Sequence, residues 1–320
     1  MKFYLESLGC PKNLVDSHCI SRLLVHEGHR PVEDLRQAQV LIVNTCGFVE
    51  DARAESLDEL RRLARKKRSG QVLVAAGCLS ELWGDRLLAE VPGIDAVLGT
   101  RRWSEIATLL RDLRPGQGRG RRERMALLGD GLPHEEAGTR QAARQGATAY
   151  LKIAEGCSAP CAFCTIPRIK GPSASRPAGD IVADAVALAR EGVREAILIA
   201  QDTTAYGRDR GEADALPGLI ESILAAAPNL DWLRLMYAYP GRVSPRLVEV
   251  MAREPRVCRY LDLPLQHAHP DVLRRMRRPA DMERTRRLVA DLRAAMPDLA
   301  LRTTFIVGYP GETDAQFQAL

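Results

Sequence analysis

The sequence contains no run approaching ~20 continuous apolar residues, the length a helix needs to cross a bilayer. Its first ten residues, MKFYLESLGC, lack an apolar core of signal-peptide length. These two absences exclude a helical membrane protein and an exported one, and they point to the cytoplasm. Aromatic residues are scarce, at 5%, yet 46% hydrophobic and 27% charged residues exclude a disordered chain. An excess of charge is also missing where it would matter. Residues 1–112 carry 16 basic and 16 acidic side chains, residues 113–148 carry 7 and 4, and residues 149–320 carry 23 and 21. Most of the net +5 therefore lies around Arg114 to Arg124, and neither folded half forms a strong trap for a phosphate backbone.

The 320 residues allow about two domains of roughly 100–200 residues each. In the first, KFYLESL (2–8), VLIVN (40–44), QVLVAAG (71–77) and a short segment near 94–98 read as strands. Helical spacing follows each, over 13–27, 50–67, from about Glu81, and up to Leu113. Continuous apolar runs of this kind are typical of buried parallel strands. Residues 114–148 are rich in Gly, Arg and polar residues and read as a linker, with one short strand at 125–128. From Ala149 the alternation resumes, with strands at YLKIAE, 196–200, 232–237, 260–265 and 301–308. The helices lie near 178–191, 213–226, 244–253 and across 270–296. The fold class is α/β: an N-terminal flavodoxin-like parallel sheet domain, then a partial (β/α) barrel. The last strand would leave an open edge, so the chain reads as truncated inside its fifth unit.

What the sequence does have is eight cysteines, and in the cytoplasm these more often bind metal or do chemistry than form disulfides. Cys157, Cys161 and Cys164 sit on one short loop after a strand, spaced x3 then x2. Three thiolates can hold one face of a four-iron cluster and leave the fourth iron open to a small molecule. Ferredoxin-type clusters and structural zinc sites take four ligands, and Cys258 or a histidine could supply the fourth for zinc. Cys10, Cys46 and Cys78 form a second trio. Each lies just past a predicted parallel strand, at the edge where open α/β sheets bind ligands. Neighbouring strands are ~4.8 Å apart, so three strand ends can converge. Gly9, Gly47 and Gly77 flank these cysteines and would let backbone approach a cluster. Three buried thiols are the plainer alternative. Cys19 and Cys258 read as packing residues.

The spacing C-x3-C-x-aromatic-C resembles the signature of the radical S-adenosylmethionine superfamily. That resemblance implies a [4Fe–4S] cluster on Cys157, Cys161 and Cys164, with S-adenosylmethionine on its open iron and Phe163 near the adenine. Reductive cleavage would then yield a 5′-deoxyadenosyl radical, chemistry that belongs to the cofactor and not to side chains. Two three-cysteine sites in this order resemble the methylthiotransferase family. The words SLGCPKNLVDS, NTCGFVE, YLKIAEGC, CAFCTIPRIKG, LIAQDTTAYG, YLDLPLQH and LRTTFIVGYPGET are similar to its RimO-type, ribosomal-protein branch. The tRNA-modifying, MiaB-like branch has Gln-Met-Asn where this chain has Pro11-Lys12-Asn13. His18 and the Ser158-Ala159-Pro160 filling depart from the family pattern without removing a ligand.

The resemblance implies two [4Fe–4S] clusters, the second on Cys10, Cys46 and Cys78, and two uses of S-adenosylmethionine. One molecule methylates sulfur held at the second cluster. The other yields the radical that opens the β-carbon of an aspartate in the twelfth small-subunit ribosomal protein to the methylthio group. The two cysteine edges are expected to face one another across the substrate. Further implied cofactor contacts are Gln201 with Asp202, Gly308 to Glu312 (GYPGE) and Gln266-His267, each at a strand end. For Glu312, a place near a helix N-terminus is the structural alternative. Implied partners are the ribosomal protein or the ribosome, and a reductant such as flavodoxin or ferredoxin, with no membrane. The domains are then 1–113, a linker 114–148 and a barrel 149–320, without the family's sixth barrel unit and TRAM domain. The rival readings are a MiaB-like tRNA adenosine methylthiotransferase, an iron–sulfur carrier and a zinc protein.

Overall fold

The computed structural model describes residues 1–113, 124–129 and 139–320. Most of the expected linker, 114–123 and 130–138, lies outside the described residues. The chain divides into two compact units, Met1–Ala143 with Arg168–Gly171, and Arg144–Pro167 with Pro172–Leu320. Among the described residues, no helix is long and apolar enough to cross a membrane.

Unit 1 runs β1 (Lys2–Ser7), α1 (Pro11–His26), β2 (Arg30–Pro31), β3 (Val40–Thr45), α2 (Glu50–Lys66), β4 (Val72–Gly77), α3 (Cys78–Trp83), α4 (Asp85–Glu90), β5 (Ala96–Gly99), α5 (Ile106–Leu113) and β6 (Met125–Leu127). The sheet order is β2-β1-β3-β4-β5-β6, and every pairing is parallel. Its first five strands follow the flavodoxin-like order 2-1-3-4-5. All six residues of β3 and all six of β4 are buried, as strands covered on both faces must be. On one face Leu41, Val43, Leu73 and Ala75 pack with Leu60 and Leu63 of α2. From α1, Val15, Cys19, Ile20 and Leu24 are also buried. The short strand expected at 125–128 is β6, which extends the sheet beside β5. β2 carried no apolar pattern and was not expected; it joins the edge through two residue pairs only.

Unit 2 contains a sheet in the order β14-β13-β12-β11-β8-β7. Its strands are β7 (Ala142–Gln145), β8 (Thr148–Lys152), β11 (Glu195–Ile199), β12 (Trp232–Leu235), β13 (Val257–Asp262) and β14 (Ala300–Arg302). From β8 to β14 the pairings are parallel. The helices α7 (Ala178–Arg190), α8 (Leu216–Ala226), α9 (Pro245–Arg253), α10 (Pro270–Arg275), α11 (Met282–Ala295) and α12 (Asp314–Gln318) alternate with them. Apolar stripes of α7, α8 and α9, such as Ile181/Leu188, Ile220/Ile223 and Leu247/Val250, are buried. A short antiparallel pair, β9 (Ala154–Glu155) and β10 (Ala174–Ser175), closes the base of the cysteine loop, and α6 (Ile166–Lys170) lies within that loop.

Two strands are shorter than their apolar patterns predict. β13 ends at Asp262 instead of running to 265, and β14 covers 300–302 instead of 301–308. The β13–β14 ladder holds at Leu263 N–H to Arg302 O (2.8 Å), slips by one residue where Leu265 N–H turns to Thr303 Oγ1 (3.1 Å), and resumes with Gln266 N–H to Thr304 O (2.8 Å) and the Gln266–Phe305 bridge. Cys258 falls inside β13 and not before it.

Candidate iron–sulfur and cofactor sites

In unit 1, β1, β3 and β4 are adjacent strands, and Cys10, Cys46 and Cys78 follow their C-terminal ends. Between β1 and β3 the strand order reverses direction, which opens a crevice at that edge. The thiols are near enough to raise one another's pKa: Cys10 acts on Cys46, and both act on Cys78. Burial is the larger cause for both, and it pushes the Cys78 thiol up to about 12. Cys78 accordingly donates its S–H to Asn13 Oδ1 at 3.3 Å. Cys10 is the N-cap of the 16-residue α1. The backbone N–H groups of Phe48 and Gly47 point to the Cys46 thiol and counter its burial.

The glycines allow close approach of backbone. A β-carbon at Gly9 (φ +90°) would sit 2.6 Å from Cys46 Cβ and 2.9 Å from its Sγ. At Gly77 (φ +96°) it would lie 2.2 Å from Asn44 Oδ1, and at Gly47 2.9 Å from the Leu79 backbone. They let the strand ends close on each other. Beneath them lies a buried polar network that the sequence reading missed. Asn13 Nδ2 donates to Thr45 O (2.8 Å) and Leu8 O (3.1 Å), while Asn44 Nδ2 donates to Asn13 O (2.8 Å) and Ser17 Oγ (2.9 Å). Its only sequence signal was a polar Asn44 ending an apolar run. Lys170 Nζ and Asp16 Oδ2 pair at 2.7 Å, with side chains 1% and 3% exposed. The Lys170 ammonium draws the Cys78 pKa down against the dominant effect of burial.

In unit 2, Cys157, Cys161 and Cys164 occupy the loop after β9, all half-buried. Each thiol faces an N–H donor. Ala159 N–H donates to Cys157 Sγ at 3.4 Å, Arg278 Nη1 to Cys161 Sγ at 3.8 Å, and the Ile166 N–H lowers the Cys164 pKa. Burial still holds Cys157 and Cys164 above the ordinary thiol value. The loop is pinned to the end of α10 by Ala162 N–H to Met276 O (3.0 Å), and Ser158 Oγ accepts from Ser173 N–H (3.0 Å). Phe163 is half-buried in the turn between Cys161 and Cys164.

The strand ends around the loop carry polar residues. Asp202 follows β11, is paired with Arg242, and accepts from Thr204 Oγ1 at 2.5 Å. Gln201 beside it is half-buried. Tyr237 (φ +63°) and Gln266 (φ +74°) hold left-handed backbone after β12 and β13, strain of the kind that clusters at sites. Asp262, at the end of β13, is 1% exposed, and its Oδ1 finds no hydrogen-bond partner among the described residues. Neither Asp262 nor Arg278 carried a sequence signal, one lying in an apolar strand and the other in an arginine run.

The structure places Glu312 just before the N-cap of α12 and beside His267. Its Oε1 lies 3.1 Å from His267 Nε2, and its Oε2 accepts from Tyr309 N–H at 2.9 Å. His267 Nδ1 accepts from His269 N–H, so the ring proton sits on Nε2 and is donated to the carboxylate. The helix beyond starts at Asp314 with Thr313 as N-cap, so Glu312 clamps a loop and does not lie in a first turn. Gly308 (φ +69°) makes the turn and has open space where a β-carbon would be.

The donor chemistry of both sites fits an iron–sulfur cluster: three thiols with N–H groups directed at sulfur. Among the described residues, no three His, Cys, Asp or Glu side chains close around a single ion position. Thiolates that hold a cubane each bind a different iron and stand further apart than the ligands of one ion.

The chain matches two family models: an uncharacterised protein family, UPF0004, over residues 2–99, and the radical SAM superfamily over residues 151–320. Among its relatives, the ribosomal protein uS12 methylthiotransferase RimO of Roseiflexus sp. (strain RS-1) is 50% identical, over 100% of this chain and 71% of the relative. RimO of Chloroflexus aurantiacus is 48% identical, over 100% of this chain and 72% of the relative. The radical S-adenosylmethionine methyltransferase TsrM of Kitasatospora setae, solved with a SAM analogue and tryptophan, superposes with a TM-score of 0.69 at 17% identity. It covers 99% of this chain and 69% of that one, a likeness of fold. With one cysteine trio at the strand ends of unit 1 and a second in the loop after β9, and at half identity along its full length, the chain belongs to the RimO family of ribosomal protein uS12 methylthiotransferases, within the radical SAM superfamily.

Proposed function

We propose that the protein transfers a methylthio group to ribosomal protein uS12, at the β-carbon of an aspartate, using S-adenosylmethionine and two [4Fe–4S] clusters. The observation that carries this is the pair of three-thiol strand edges, one in each unit, in a chain whose relatives bear that name. Cys10, Cys46 and Cys78 would hold one cluster, and Cys157, Cys161 and Cys164 the other. Bound there, iron–sulfur and S-adenosylmethionine supply a carbon radical able to take hydrogen from an unactivated carbon, which no side chain achieves by acid–base chemistry.

The chain's own residues do the holding and orienting. Three thiols per site leave one iron of four without a protein ligand. Ala159, Ile166 and Arg278 aim N–H groups at the unit 2 thiols, and Phe48 and Gly47 do so at Cys46. Asn13 and the Lys170–Asp16 pair set the charge and shape beside Cys78. The polar ends of β11 and β13, Gln201, Asp202 and Asp262, would supply hydrogen-bonding groups to the ribose and amino acid parts of the cofactor, at the strand edge where barrel sites form. Phe163 offers a flat apolar surface for an adenine, and Gly308 an open backbone. An external one-electron reductant such as flavodoxin or ferredoxin completes the requirement.

The test combines metal analysis with mass spectrometry. Anaerobic reconstitution of the whole protein should give about eight irons with matching sulfide per chain. A strain lacking the gene should lose the methylthio increment on uS12 and keep it on tRNA. Loss from tRNA alone, or zinc without sulfide, overturns the proposal.

A further inference from the structure

Arg278 lies beyond α10, outside every motif of the reaction, yet three of its contacts converge on the radical site. Nη1 donates to Cys161 Sγ at 3.8 Å, and Nη2 donates to Pro264 O at 2.5 Å. The guanidinium carbon stands 4.1 Å above the centre of the Tyr239 ring. A second cation lies against the same ring: Arg242 is 4.8 Å from the ring centre and pairs with Asp202. Arg242 and Asp202 both act on Cys157, and Arg278 acts on Cys164 as well as bonding Cys161. The Arg242 charge has a carboxylate partner. Arg278 has no carboxylate partner among the described residues: its fork is spent on a sulfur and a carbonyl, and its buried Nε finds no hydrogen-bond partner there.

We infer that Arg278 is a positioning residue that sets the reduction potential of the cluster site at Cys157, Cys161 and Cys164, by holding a fixed positive charge and an N–H donor against the Cys161 sulfur. The physical reason is direct. Reduction adds one negative charge to a cluster, and a nearby cation and a hydrogen bond to its thiolate favour the more negative state. Position matters as much as charge. The Pro264 carbonyl and the Tyr239 ring hold the planar guanidinium in one orientation, an arrangement that a lysine ammonium does not reproduce.

The inference rests on the assignment of these three cysteines as cluster ligands. The experiment is a redox titration of the reconstituted whole protein, followed by electron paramagnetic resonance. The signal read is the one that S-adenosylmethionine perturbs, which separates this cluster from the other. At the potential where the native cluster is half reduced, Arg278→Met should lower the reduced-to-oxidised ratio at least threefold. Arg278→Lys, which keeps charge without the fork, should lower it less. Arg278→Gln gives the same neutralisation if the Met variant takes up too little iron. Tyr239→Leu, which removes the stacking surface and leaves the charge, should shift the ratio in the same direction by a smaller factor. An unchanged ratio in both neutral variants at full iron content overturns the proposal, as does a Lys variant as impaired as Met. A native protein whose unit 2 cysteines take up no iron overturns the ligand assignment and the proposal together.

Discussion

Gly9 shows how a single residue shapes the unit 1 site. Its φ of +90° is costly for any L residue, and a β-carbon would also collide with Cys46 at 2.6 Å. Gly28, with φ +80°, has nothing within 4 Å and isolates the backbone cost. Gly28→Ala should therefore cost about 1–2 kcal/mol of unfolding free energy, and Gly9→Ala measurably more in urea titrations of the iron-free protein. Equal costs would mean that Cys46 simply moves aside. Glu312 makes a pH-dependent contribution. The His267 side chain, followed by the Tyr309 N–H, holds its carboxyl below the ordinary 4.5. A depressed folded value means the stabilisation is complete above 4.5 and lost as pH falls through the lower folded value. The stability gap between the native protein and Glu312→Gln should persist at neutral pH and close under acid, and a gap independent of pH would count against the clamp.

At the scale of elements, the strands were legible where their burial was two-sided. VLIVN and VLVAAG are continuous apolar runs because β3 and β4 are covered on both faces. β13 and β14 were misjudged because apolar character does not report the one-residue slip in pairing between Leu263 and Gln266, which only the partner strand reveals. The cysteine spacing of unit 2 was legible as well, since residues on one loop are close in sequence. The charge partner of α1 was not: Asp16 meets Lys170 across 154 positions, and nothing local links them. With both side chains nearly fully buried, Lys170→Met should destabilise the protein by about 3–5 kcal/mol, because the Asp16 carboxylate loses the ammonium beside it. The double variant Asp16→Leu with Lys170→Met should recover part of that loss. Simple additivity in chemical denaturation would show the pair to be uncoupled.

At the scale of the whole molecule, each cysteine trio belongs to its own compact unit, so the two sites should fail separately. Cys46→Ala should remove the iron of one cluster and leave the resonance signal that S-adenosylmethionine perturbs. Cys161→Ala should abolish that signal and keep the other cluster. Loss of both clusters in either variant would contradict this independence. By itself the sequence determined the strand–helix alternation, the grouping of the cysteines as three, three and two, and the family to which they point. Those features are local, or repeat with the period of a strand or a helix. Tertiary structure alone decided that β1, β3 and β4 are neighbours, so that cysteines 36 and 68 positions beyond Cys10 share one edge. It also decided that the flanking glycines serve backbone closure, that Glu312 binds His267, and that an arginine 117 positions away bonds Cys161. Strand order and long-range polar contacts follow from how whole elements pack, and no local pattern in the chain encodes them.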